Sequence, residues 1–149
     1  MKLSSSAFAP KTTIPIKYTQ YGDNVNPPLD LDDMPSGTKS WVLIVEDPDI
    51  PPQAGTPPFD HWIVFNIPAE VTSIPENWTV QGVRGRRVRD GLDYLGPKPP
   101  DRQHRYFFKA YALDTDLLLG EGATKVEIEN AMKGHILAQA ELIGLFAPP

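Results

Sequence analysis

The chain has 149 residues, of which 40% are apolar, and this size and composition suit one domain with a single core. Its net charge of -5 and its pI of about 5.1 argue against nucleic-acid binding, which depends on a positive surface. Cysteine is absent, which excludes disulfides, thiolate catalysis and cysteine zinc sites. The sequence shows no secretory signal and no apolar stretch near the roughly 20 residues that span a bilayer. We therefore expect a soluble cytoplasmic protein without a transmembrane segment.

Short strands are predicted over most of the chain, at 14–18, 41–47, 61–67 and 105–113. The first is weak, whereas the second is strong because β-branched and aromatic residues follow a turn signal. The third is apolar on both faces, which favours a central strand. Near the end, Thr124 and Glu127 have capping-box spacing, and apolar residues then recur at helical spacing. This pattern predicts a helix over 124–143, although Gly134 within it is unfavourable.

Alternation of side chains along these strands places polar groups at the strand ends. The predicted shared faces are Trp41, Leu43, Val45 and Asp47; His61, Ile63, Phe65 and Ile67; and His104, Tyr106, Phe108, Ala110 and Ala112. If these faces belong to one sheet or sandwich, Asp47, His61, His104 and Tyr106 could converge at one mouth.

Two proline-rich segments, 47–62 and 94–106, deliver His61 and His104 to these strands. Proline stiffens a connection, and rigid loops are common scaffolds for binding sites. Imidazoles, a phenol and loop amides can bind an anion without lysine. The same residues also suggest a metal triad with Asp47, but the sequence lacks H-x-x-H and H-x-H spacing. General acid–base hydrolysis is a further alternative, although no G-x-S-x-G motif accompanies the histidines.

Several ordered motifs in this chain resemble the phosphatidylethanolamine-binding protein family, in its prokaryotic Raf-kinase-inhibitor-like branch. The motifs are D-P-D-x-P at 47–51, H-W at 61–62 and G-P-x-P-P-x-x-x-H-R-Y at 96–106. The resemblance implies a Greek-key antiparallel β-sandwich in a single domain, residues 1–149, with a C-terminal helix packed beside a small anion pocket. It assigns to the pocket Asp47, His61, His104 and Tyr106, with a wall of Gly96, Pro97, Pro99 and Pro100.

The resemblance also implies a function without catalysis or a cofactor. The pocket would bind phosphate, a phosphoryl head group or a carboxylate, and the protein would regulate a kinase or a protease and form a homodimer. It further implies a cis peptide bond between Ile50 and Pro51. An alternative is a protease inhibitor that acts through a surface loop, at 51–60 or 84–93, and a hydrolase is less favoured.

Two features depart from the family pattern. The stretch before the pocket loop reads R-D-G-L-D-Y at 89–94, with an aspartate near a usual glycine. The basic cluster, defined as Arg84, Arg86, Arg87 and Arg89, is also not a family signature. Such a charge run is usually a solvated loop, and contact with an anionic partner is the alternative. The stretch 89–94 is therefore where ligand preference is expected to differ.

Overall fold

A computed structural model of the chain describes residues 1–149 and contains two antiparallel sheets. The larger sheet has the strand order β6 (Val83–Arg84), β4 (Phe59–Pro68), β3 (Ser40–Asp47), β7 (His104–Leu113) and β8 (Ile136–Phe146). The smaller sheet has the order β1 (Lys2–Ser4), β2 (Leu29–Asp32) and β5 (Ser73–Ile74). The only α-helix is α1 (Lys125–Met132). The predicted mainly β sandwich fold with one helix is confirmed.

The larger sheet is apolar on both faces. Its inner face, which includes Trp41 and Phe108, packs in one core with Leu29 and Leu31 of the smaller sheet. Its outer face forms a second core, in which Ile128 and Met132 of α1 cover the sheet. Removal of these side chains from water is the main force that holds the layers together. The helix thus lies on the outer face of the larger sheet.

The predicted alternation holds in β3 but fails in the middle of β4. Val45 pairs with Trp62, whereas Glu46 pairs with Asp60, so His61 is the extra residue of a β-bulge. As a result, His61 and Trp62 both face the inner core, while Ile63 and Phe65 turn to the outer core. The predicted shared face of His61, Ile63 and Phe65 is therefore wrong. A second irregularity precedes Ile67, which lies in the inner core.

The end of the chain differs from the predicted long helix. The helix begins as predicted, with a capping box between Thr124 and Glu127, but ends at Met132. Gly134 then adopts φ +82°, a left-handed conformation in which glycine is favoured, and the chain reverses into β8. The residues of β8 also alternate with period two, and tertiary pairing with β7 selects the strand. No helix of the structure has the length and apolar character required to cross a membrane.

Two shorter predictions are also wrong. Instead of a strand at 14–18, Ile16–Tyr18 form a 3₁₀ turn, preceded by an isolated bridge between Thr13 and Leu145. The Ile50–Pro51 bond is trans, and the cis bond lies between Pro57 and Pro58, directly before β4. After Pro51 the chain enters a 3₁₀ turn that is closed by the Ala54 amide donating to the Pro51 carbonyl at 2.9 Å.

Candidate functional site

One cavity of about 270 Å³ opens at the ends of β3, β4 and β7. Its lining residues are Gln20, Asp47, Ile50, Ala54, Phe59, His61, Arg89, Lys98, Pro99, Pro100, His104 and Tyr106. The structure therefore brings together the four polar residues that the sequence predicts, along with two of the four predicted wall residues. The other two, Gly96 and Pro97, lie behind the wall.

His104 is fully buried at the start of β7 between two carboxylates. Its Nδ1 lies 2.7 Å from Oδ2 of Asp47, and its Nε2 lies 2.7 Å from Oδ1 of Asp101. Asp47 accepts a second hydrogen bond at 2.7 Å from the Asp49 amide through Oδ1. Burial raises the pKa of Asp47, while the hydrogen bonds from His104 and the Asp49 amide act against that rise. Both ring nitrogens of His104 and both oxygens of Asp47 are thus engaged within the protein.

A bidentate ion pair fixes the loop that follows β3. The carboxylate of Asp49 accepts from Nε and Nη2 of Arg105 at 2.9 and 2.8 Å, and also from the Arg105 amide at 2.9 Å. These hydrogen bonds lower the pKa of Asp49 to about 2. Because Arg105 follows His104, the pair ties the end of β3 to the start of β7. Asp49 therefore stabilises the loop beside the site and does not itself line the cavity.

His61 faces the cavity from the bulge in β4 and is 4% exposed. Its Nδ1 lies 2.6 Å from the carbonyl oxygen of Leu95. Since a carbonyl only accepts, Nδ1 donates, and a neutral ring then leaves Nε2 as an acceptor. Burial lowers the pKa of His61 to about 4. The imidazole stands between the rings of Phe59 and Tyr106, at centroid distances of 4.6 and 5.4 Å.

The depressed pKa of His61 predicts a loss of stability in mild acid. The unfolded chain takes up a proton near pH 6.5, whereas the folded protein takes it up only near pH 4. The contribution of His61 is therefore complete above pH 6.5 and is lost as the pH falls to about 4. Chemical denaturation at a series of pH values should give a slope that corresponds to uptake of up to one proton on unfolding. This component should vanish in His61→Asn and persist in His135→Asn, an exposed control; an unchanged slope in His61→Asn would contradict the assignment.

Tyr106 carries the one buried side-chain polar atom that has no hydrogen-bond partner. The residue is 1% exposed, and its ring lies between those of His61 and His104, at 5.4 and 6.4 Å. Burial raises the pKa of this phenol, so it remains a neutral hydroxyl. An unsatisfied buried hydroxyl is costly, and this one belongs to a residue that lines the cavity.

The predicted wall loop is held in place by hydrogen bonds to residues of an earlier segment of the chain. The Gly96 amide donates to Oδ1 of Asn24 at 2.7 Å, and the Gly96 carbonyl accepts from Nε2 of Gln20 at 2.8 Å. A Cβ at position 96 would lie 2.4 Å from the carbonyl oxygen of Tyr18, so only glycine fits there. The loop therefore packs against the segment around Gln20, which itself lines the cavity. Sequence reasoning missed Gln20 because no motif marks it.

The basic cluster divides into two parts. Arg84 pairs with Asp93 and Glu121, both at 2.6 Å, and the Arg87 side chain donates to backbone carbonyls. Only Arg89 lines the cavity, with its guanidinium carbon 5.5 Å from the Phe59 ring centroid. Arg84 and Arg87 thus have partners within the protein, whereas Arg89 faces the cavity. The other missed lining residues are Ile50, Ala54, Phe59 and Lys98, all within the two proline-rich segments.

A second polar group lies behind the site, on the outer face of the sheet. We call it the outer ion cluster, defined as Glu46, Asp60, Lys109 and Lys125. Glu46 is bound by both lysines, and Lys125 also lies 3.0 Å from Asp60. Burial by itself would raise the pKa of Glu46, but the two lysines hold it below its usual range, whereas burial raises the pKa of Asp60. Since Glu46 and Asp60 directly precede Asp47 and His61, the cluster ties α1 to the strand ends that carry the site.

Comparisons of this chain with known proteins all indicate the same family. The family model described as phosphatidylethanolamine-binding protein matches residues 4–147. The chain is 44% identical to a UPF0098 protein of Methanothermobacter thermautotrophicus and to one of Chlamydia trachomatis, with 98% of each chain covered in both cases. Among solved structures, a putative phosphatidylethanolamine-binding protein homolog from C. trachomatis, CT736, is 44% identical with a TM-score of 0.95, and the match covers 97% of this chain and 95% of that one.

A more distant structure agrees. YbcL of E. coli, described as a new member of the mammalian family, is 27% identical with a TM-score of 0.86, over 97% of this chain and 96% of that one. The family model, the curated relatives and the solved structures all span nearly the whole chain, as the motifs at 47–51, 61–62 and 96–106 predict. The chain therefore belongs to the phosphatidylethanolamine-binding protein family.

Proposed function

We propose that this protein is a non-enzymatic binding protein whose cavity holds a small anion: phosphate, a phosphoryl group or a carboxylate. The observation that carries the proposal is the Tyr106 hydroxyl, which is buried in the cavity wall without a partner. A bound oxyanion supplies the acceptor that this donor lacks. Because Nδ1 of His61 donates to Leu95, Nε2 of the neutral ring is an acceptor, which suits the P–OH hydrogen of a singly protonated phosphoryl group.

The charge of the surroundings also favours an anion. Arg89 and Lys98 line the mouth, while the only acidic lining residue, Asp47, has both oxygens engaged. The engaged residues His104 and Asp47 then serve to hold the wall rather than to carry out acid–base chemistry. No serine, threonine or cysteine lines the cavity, and its one carboxylate has both oxygens engaged, which supports binding rather than turnover.

Substitution of Tyr106 by phenylalanine tests the proposal because it should weaken phosphate binding without destabilising the fold. Inorganic phosphate should bind roughly tenfold more weakly, by loss of one hydrogen bond to a charged group. The free energy of unfolding should stay the same or rise by up to about 1 kcal/mol, since an unsatisfied buried hydroxyl is removed. Calorimetric titration with phosphate and urea denaturation measure the two quantities.

The matched control is Tyr111→Phe, on the same strand but facing the outer core. It should leave phosphate affinity unchanged. Equal phosphate affinity in wild type and Tyr106→Phe would contradict the role of the hydroxyl, and no binding to wild type at millimolar phosphate would contradict the function itself.

A further inference from the structure

Two cationic side chains at the cavity have no acidic partner. Arg89 and Lys98 both line the cavity and are both exposed. The neighbouring cations Arg84, Arg86 and Arg105 each pair with a carboxylate, whereas neither Arg89 nor Lys98 forms an ion pair. The mouth therefore carries two positive charges that the protein itself does not neutralise.

The position of Arg89 is set by contacts with the wall. Its backbone is left-handed, with φ 62° and ψ 30°, and its guanidinium lies over the ring of Phe59. That ring lies next to the imidazole of His61, 4.6 Å away between centroids. A cation over an aromatic face is attracted to it, so the contact holds the charge of Arg89 at the rim above His61.

The cavity offers no matching site for a positive charge. Asp47 is the only acidic lining residue, and its oxygens accept from His104 and from the Asp49 amide. Asp49 is engaged by Arg105, and Asp101 by His104. An ammonium group in the cavity would thus meet two cations, while the one carboxylate that lines the cavity has both oxygens engaged, which is unfavourable by simple electrostatics.

The cavity is also larger than a phosphate ion needs. At about 30 Å³ for each water in the liquid, 270 Å³ corresponds to roughly nine waters. The cavity lining includes Ile50, Phe59 and Pro99, which are apolar, together with the two cations. An organic group attached to the phosphate would therefore lie against an apolar and positive wall.

We propose that the cavity selects phosphate monoesters whose organic part carries no positive charge, and discriminates against the zwitterionic phosphorylethanolamine. The inference rests on the proposed function, since it takes a phosphoryl group to enter the cavity. Arg89 and Lys98 are the residues that set this specificity. The neutral or acidic organic part lies in the mouth, where it either packs on the apolar wall or meets the two cations.

A matched pair of ligands tests the specificity. The compounds n-propyl phosphate and O-phosphorylethanolamine have the same number of non-hydrogen atoms and differ in a terminal methyl or ammonium group. Two exposed cations repel the ammonium with the modest strength of exposed charge pairs, so the wild-type protein should bind n-propyl phosphate about fivefold more tightly than O-phosphorylethanolamine. Calorimetric titration at low ionic strength, with inorganic phosphate as a third ligand, gives the three dissociation constants.

Variants identify the residues responsible. In Arg89→Gln with Lys98→Gln, the ratio between the two ligands should fall to about two or less, because the repulsion of the ammonium is removed. The control removes two charges elsewhere, Lys2→Gln with Lys133→Gln, at exposed sites that do not line the cavity, and should keep the wild-type ratio.

The outcomes separate this inference from the proposed function. Equal or tighter binding of O-phosphorylethanolamine by the wild type, with phosphate also bound, overturns the specificity alone. A wild-type ratio near five that does not change in the Arg89 and Lys98 variant overturns the assignment to these residues. Failure of all three ligands to bind overturns the specificity and the proposed function together.

Discussion

Replacement of Asp47 by alanine is expected to lower the free energy of unfolding by about 2–4 kcal/mol. Asp47 is 2% exposed and accepts from Nδ1 of His104 and from the Asp49 amide. The alanine variant leaves both donors buried without a partner and opens space beside His104. Urea denaturation of the two proteins measures the loss.

Asp47→Asn is the informative companion variant. The amide oxygen can still accept from the Asp49 amide, and the amide nitrogen can donate to Nδ1 of His104 if that ring carries its hydrogen on Nε2, towards Asp101. We therefore expect a smaller loss than in Asp47→Ala, together with a His104 ring fixed in the Nε2–H tautomer. Nitrogen NMR of the imidazole reports the tautomer, and equal losses in the two variants would show that hydrogen bonding is not the cause.

Replacement of Lys125 by methionine should lower the free energy of unfolding by about 2–3 kcal/mol at pH 7. The outer ion cluster then keeps two carboxylates, Glu46 and Asp60, with only Lys109 nearby. Breaking a largely buried pair costs more than the pair itself contributes, because an uncompensated charge remains. The loss should shrink as the pH falls, since protonation of Glu46 and Asp60 removes the unpaired charge. Denaturation at pH 7 and pH 4 measures both effects.

The control for this variant is Val126→Met, one residue further along α1 and 66% exposed. It introduces the same side chain on the same helix and should change the free energy by no more than about 0.5 kcal/mol. Because α1 contributes no residue to the cavity, Lys125→Met should also retain phosphate binding under native conditions. A destabilisation equal in Val126→Met and Lys125→Met would assign the effect to the helix surface and not to the ion cluster.

The strands β3, β4 and β7 could be predicted from the sequence because each is rich in β-branched or aromatic residues. The end of the chain could not, since Ile128, Met132, Ile136 and Ile143 fit a helical period while the residues of β8 also alternate. The decision there depends on hydrogen bonds to β7, which local pattern does not contain. The short strands β1, β5 and β6 have two or three residues and exist only through their partners.

More of the candidate site could be predicted from the sequence than of the local structure around it. Asp47, His61, His104 and Tyr106 line one cavity because their motifs end three neighbouring strands. The sequence could not show that both nitrogens of His104 are occupied, nor that Tyr106 is the residue with a free donor. Those facts depend on Asp101 and on the exact packing of the rings. Arg89 also escaped prediction, because four arginines in a run look alike until their partners are known.

The bulge at His61 and the irregularity before Ile67 are two register shifts in β4, and their effects on the direction of the side chains cancel. His61 and Ile67 occupy the same layer, as an unbroken strand would place them, while Ile63 and Phe65 between them are inverted. The bulge holds one extra residue, so deletion of Trp62 would restore regular pairing and leave His61 on the inner face and Ile63 on the outer face. Deletion of Asp60 would instead place His61 opposite Glu46, in the layer beneath α1, and leave Ile67 where it is. Loss of one residue before the bulge would thus remove the imidazole from the cavity without disturbing the other end of the strand.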